Sequence, residues 1–62
     1  MQLKKVKDIL LGKPFKLYQV AKVWTVEVLC PLSAVYVKEL QGCKGYIGMK
    51  VLDGRIKFEY LA

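Results

Sequence analysis

The sequence predicts a single, mainly β domain that opens with a short helix and ends in a hairpin, and three observations carry that expectation. Asp53-Gly54 sits between two alternating apolar runs, the strongest short hairpin signal, because a type I′ turn needs φ > 0 at both central residues. Phe15 to Cys30 alternates with a period of two, as half-buried strands do. Helical spacing is clearest at the amino end, at Leu3, Val6, Ile9 and Leu10.

Taken in order, residues 3–11 form an amphipathic helix with Lys4, Lys5, Lys7 and Asp8 on its polar side. Gly12 and Pro14 stop it, and the basic segment spans 1–12. A stretch this short does not hold a helix in water alone, so it must dock on the sheet or on a partner, or order on binding. Strands then occupy 15–62. Phe15 and Leu17 share one parity and Trp24, Val26, Val28 and Cys30 the other, which requires a bulge or break near Gln19 to Lys22. Trp24 reads as a core anchor, while Thr25 and Glu27 point away from the core. Pro31 ends that strand. Ala34 to Val37 reads as a short strand, and Lys38 to Gly42 as one helical turn or a loop. In the terminal hairpin, Val51 is expected to face Ile56, Met49 to face Phe58 and Ile47 to face Tyr60. Lys50 then opposes Lys57 on the other side. No internal repeat or low-complexity tract is visible.

Sixty-two residues make one domain, spanning 1–62. A chain of this size buries only about 60% of its unfolded surface. Hydrophobic residues nevertheless make up 55% of it. Covering the surplus with a second chain predicts a homodimer, and the same apolar surface would suit a protein partner.

The formal net charge is +6. Residues 1–22 contribute five of those charges, and ten of the eleven cations are lysines. Lysine suits loose attraction to phosphates, where arginine excels at bidentate base reading. Excess lysine also serves as a solubiliser. Like charges directly opposed on a sheet, as expected for Lys50 and Lys57, repel by a few tenths to about 1 kcal/mol. An anion set against them would relieve the repulsion.

Catalysis fails on inventory. The chain has no His, and Ser33 and Thr25 stand in no recognisable nucleophile setting. Gly42, Gly45 and Gly48 match neither a phosphate loop nor a dinucleotide fingerprint. No enzyme, no cofactor and no metal site is therefore expected, since zinc wants four ligands. Cys30 and Cys43 fit either buried thiols or one disulfide. The lack of heat-labile Asn suits a thermophile. No secretory h-region and no membrane span is present, so a soluble cytoplasmic protein is the expectation, with no membrane partner.

The segment Ser33-Ala34-Val35-Tyr36-Val37-Lys38-Glu39, with Tyr46-Ile47-Gly48-Met49-Lys50-Val51 and Asp53-Gly54-Arg55-Ile56-Lys57-Phe58, resembles the AbrB-type swapped-hairpin DNA-binding domain. That resemblance implies a barrel-like fold in an intertwined homodimer acting in transcription regulation, with Lys38 and Lys50 at the family's basic positions. Gly42-Cys43-Lys44-Gly45-Tyr46-Ile47-Gly48 resembles the KOW type of small SH3-like barrel, which implies a monomeric alternative. Archaeal chromatin proteins of this size are also similar in charge and strand content.

The resulting expectation is a small basic protein that binds duplex DNA as a transcription regulator or chromatin-type protein. Its phosphate contacts are assigned to Lys38, Lys44, Lys50, Arg55 and Lys57, assisted by Lys4, Lys5 and Lys7. The alternatives are a protein–protein assembly module using the apolar surface, and an RNA-binding barrel in which Trp24, Tyr36 or Tyr46 stacks on bases.

Overall fold

Asp53 (φ 52°) and Gly54 (φ 74°) both adopt the left-handed conformation that a type I′ turn demands. They join β3 (Tyr46–Leu52) to β4 (Arg55–Leu61). As expected, Val51 pairs with Ile56, Met49 with Phe58 and Lys50 with Lys57. Beyond Gly48, which pairs with Glu59, the register shifts, and Tyr46 rather than Ile47 lies opposite Tyr60. The extra residue forms a bulge that returns Tyr46 to the core side, its ring edge-on to Tyr60 at 5.9 Å between centroids.

The computed structural model describes residues 2–62. It contains α1 (Leu3–Ile9), β1 (Phe15–Val20), β2 (Val23–Val28), α2 (Ala34–Gln41), β3 and β4. The strands form one antiparallel sheet in the order β1-β2-β4-β3. The sheet is open, with β1 and β3 as its edges, where the sequence suggested a barrel-like fold. Four strands are too few to curl around a core of their own, and the two helices supply the second layer instead.

The parity break expected near Gln19 to Lys22 is a chain reversal at Ala21-Lys22, which makes β1 and β2 a second two-residue hairpin. Ala21 takes φ 55° there. A non-glycine residue in that region is strained by about 1 kcal/mol or more, while glycine gives back roughly 0.5–1 kcal/mol in unfolded-state entropy. Ala21→Gly is therefore expected to stabilise by about 0.5 kcal/mol, a rise of roughly 2–4 °C in Tm, measured by thermal melting. An unchanged or lower Tm would show that the turn is relaxed as it stands.

Ala34 to Val37, expected as a strand, belongs to α2. The β-branched pair Val35 and Val37 favours a strand locally, but tertiary packing prevails. Val37 packs against the core, and Leu40 and Cys43 are buried within it, all at helical spacing. Ser33 stands extended before the helix, and Gly42 closes it. The described residues therefore form two helices, and both lie on the same face of the sheet.

Between the layers sits the core: Val6 and Leu10 from α1, Leu40 and Cys43 from α2 and its exit, Val26 and Val28 from β2, and Phe58 and Tyr60 from β4. The helix face read from the sequence for α1 is the one that docks, with Leu3 and Ile9 half-buried beside Val6 and Leu10. Trp24 packs against this cluster, as anticipated. The Tyr60 hydroxyl donates to the Leu40 carbonyl at 2.5 Å, which ties α2 to the central strand. Burial pushes the Tyr60 phenol far above its ordinary range, so it stays a neutral donor. Cys30 and Cys43 are free thiols, and burial raises the Cys43 pKa against the opposing pull of Lys5.

A duplication escapes the sequence. The order helix, hairpin, helix, hairpin repeats with a shift of 32 residues, which carries β1 onto 47–52 and β2 onto 55–60. The two central strands pair about a local two-fold at Val26 and Phe58, with Trp24 opposite Tyr60 and Val28 opposite Ile56. Across the equivalent strand positions, Glu27 and Glu59 are the single identity, so no repeat can be read from residue letters.

Candidate nucleic-acid interface

Each strand alternates, so the face of the sheet away from the helices is fixed by register. One row across it reads Lys16, Glu27, Lys57, Lys50, each directly opposite the next. The neighbouring row reads Tyr18, Thr25, Glu59, Gly48. Lys50 and Lys57 do oppose each other on this open face, and Arg55 lies on it at the turn. The opposition of Lys50 and Lys57 expected from the hairpin is thus present on this face.

Its charge is largely answered from within. Glu59, in the next row and diagonal to Lys50, reaches it at 3.6 Å. Glu27 is buried between Lys16 and Lys57 and accepts a hydrogen bond from Arg55 at 3.0 Å. Among the described residues these are the two ion pairs, and both lie on the open face. A shallow depression of about 380 Å³ at the turn end is lined by Glu27, Leu52, Asp53, Arg55 and Lys57. With Asp53 included, this face and its turn set four cations against three carboxylates, a surplus of one.

The helix layer has the larger surplus. It carries Lys4, Lys5 and Lys7 on α1, Lys13 in the following loop, Lys38 on α2, and Lys44 just beyond. Two carboxylates, Asp8 and Glu39, accompany these six lysines, an excess of four. Neither carboxylate forms an ion pair among the described residues. Packing of α1 against α2 brings the set together. The Lys44 backbone N–H donates to Gln2 Oε1 at 2.9 Å, joining the start of α1 to the exit of α2 across 42 residues of chain. Lys5 lies close enough to Cys43 to lower the pull of burial on its thiol. Gln2, Leu3, Lys4, Lys5 and Asp8 line an open depression of about 430 Å³ there. Lys13 Nζ sits 4.5 Å from the centre of the Tyr36 ring, fastening the loop after α1 to α2.

The structure therefore divides the eight residues assigned to phosphate contact. Lys4, Lys5, Lys7, Lys38 and Lys44 gather in the helix layer, while Lys50, Arg55 and Lys57 lie on the opposite side of the molecule. Sequence reasoning placed Glu27 away from the core but missed its bond to Arg55, because β2 and β4 become neighbours only through a long-range pairing. The three aromatic residues considered for base stacking are occupied elsewhere: Trp24 packs on the core, Tyr46 on Tyr60, and Tyr36 beneath Lys13. The aromatic side chain on the open face is Tyr18, partly exposed between Lys16 and Val20.

No protein-family model matches the chain, and neither a curated protein nor a solved structure is significantly similar to it.

Proposed function

We propose that this protein binds nucleic acid, duplex DNA foremost, by its phosphates, with the helix layer as the main contact surface. The single observation that supports this reading is the unneutralised excess of four lysine charges on that layer. Six flexible ammonium groups over two short helices give a diffuse positive field, suited to a polyanion and poor at reading base edges. Such binding serves a chromatin-type protein or the general affinity of a regulator. The open sheet face adds Lys16 and Lys57, which form no ion pair among the described residues, as a weaker second contact.

Binding to duplex DNA is expected to weaken steeply with salt. With three or four phosphates engaged, log K should fall against log salt with a slope of about −3. Fluorescence anisotropy of a labelled duplex between low and moderate salt measures it. A slope near zero would remove nucleic acid as the partner and leave the lysines as solubilisers.

A further inference from the structure

The edge strand β3 is long, apolar and bare. Ile47 is 56% exposed, Met49 38%, Val51 65% and Leu52 59%, and Lys50 is the strand's one charge. In a two-residue hairpin the residues flanking the turn exchange hydrogen bonds, and bonded pairs then alternate. Leu52 and Lys50 therefore spend their backbone groups on β4, while Met49 and Val51 direct N–H and C=O to the free edge. Natural edges are blunted by charges, lysine above all, by proline, by a bulge or by a covering loop. Within residues 49–52 Lys50 is the single such feature, and the bulge at Ile47 lies outside them. The opposite edge, β1, likewise carries one lysine, Lys16, and has Pro14 just before it.

We propose that a second copy of this chain covers β3, pairing it antiparallel with its own counterpart about a two-fold at Lys50. In that register Met49 of each copy lies opposite Val51 of the other. All four outward backbone groups of each strand find partners, and two apolar cross-strand pairs form on the helix side. Centring the two-fold on Val51 instead would bond only that pair and run Met49 into the Asp53 turn. Centring it on Met49 would draw in the Ile47 bulge, where the strand is irregular. The favoured register makes one eight-stranded sheet of two side-by-side copies that keep their own hairpins, in place of intertwined chains.

The arrangement has a cost that is itself diagnostic. Lys50 meets Lys50 of the second copy at the closest, non-bonded spacing, and the row becomes Lys57, Lys50, Lys50, Lys57 across the junction. Four lysines then stand side by side, with each Glu59 carboxylate in the row beside them. Raising the salt should tighten the dimer, the reverse of its effect on DNA binding. The dimer does not depend on nucleic acid, and either reading can fail without the other.

Sedimentation equilibrium of the full chain at two salt concentrations, with Val51→Lys and Lys50→Cys variants, tests this. Val51 is mostly exposed, so Val51→Lys should stay folded by circular dichroism and lose at least tenfold in dimer affinity. Lys50→Cys, in a Cys30→Ser background, should oxidise to a covalent dimer, while Lys16→Cys on the other edge should not. A chain monomeric at millimolar concentration and high salt would overturn the proposal. So would a dimer that survives Val51→Lys, or one in which Lys16→Cys links as readily as Lys50→Cys.

Discussion

Phe58→Ala is expected to leave most of the chain unfolded at room temperature. Phe58 is fully buried, lies between Val26 on β2 and Met49 on β3, and meets helix residues of the core from above. Removing such a ring costs about 3–5 kcal/mol in lost transfer energy and residual cavity. A core of this size rarely supplies more than about 3–5 kcal/mol in total. Far-UV circular dichroism and a urea titration would show the loss. A variant that still melts cooperatively near the parent temperature would mean that the core collapses around the gap, or that a second chain contributes stability. The more conservative Phe58→Leu should fold and lose only part of this, because most of the apolar volume remains.

The second large effect separates the two basic surfaces. Lys4→Gln, Lys5→Gln and Lys7→Gln together are expected to flatten the salt dependence of DNA binding by about 2 units of slope, more than half of it. Glutamine keeps helix propensity close to that of lysine, so α1 should remain docked through Val6 and Leu10. Lys50→Gln with Lys57→Gln should remove less than about 1 unit. Lys50 is already held by Glu59, and taking away two opposed lysines also relieves their repulsion. The opposite ranking would return the contact to the C-terminal ribbon. Equal losses would indicate that the polyanion wraps both sides.

Much of the strand plan was legible because it rests on strictly local rules. The Asp53-Gly54 turn dictates its own geometry, and from it the pairing of Lys50 with Lys57 follows. The parity change between Leu17 and Trp24 required an interruption, and Ala21-Lys22 provides one. The amphipathic face of α1 was likewise written in its spacing. What stayed hidden depends on residues distant along the chain. Val35-Tyr36-Val37 looks like a strand until Leu40 and Cys43 are known to meet Tyr60. The Ile47 bulge could not be inferred from the hairpin alone. The partners of Arg55 and Lys50 were equally out of reach, since Glu27 joins the hairpin only when β2 docks on β4. For the basic surfaces, sequence fixed which residues are charged but not which share a side. That division comes from the stacking of two helices on one face.

The doubled helix–hairpin layout also sets a timetable for folding. Each hairpin closes over a two-residue loop, an event of about 1–10 μs that needs nothing from the other half. The costly step is the later meeting of β2 with β4, where Val26 finds Phe58 across 32 positions of chain. Until then both central strands are unpaired on one side, so the speed of that encounter governs how long a sticky, half-assembled species persists in a crowded solution.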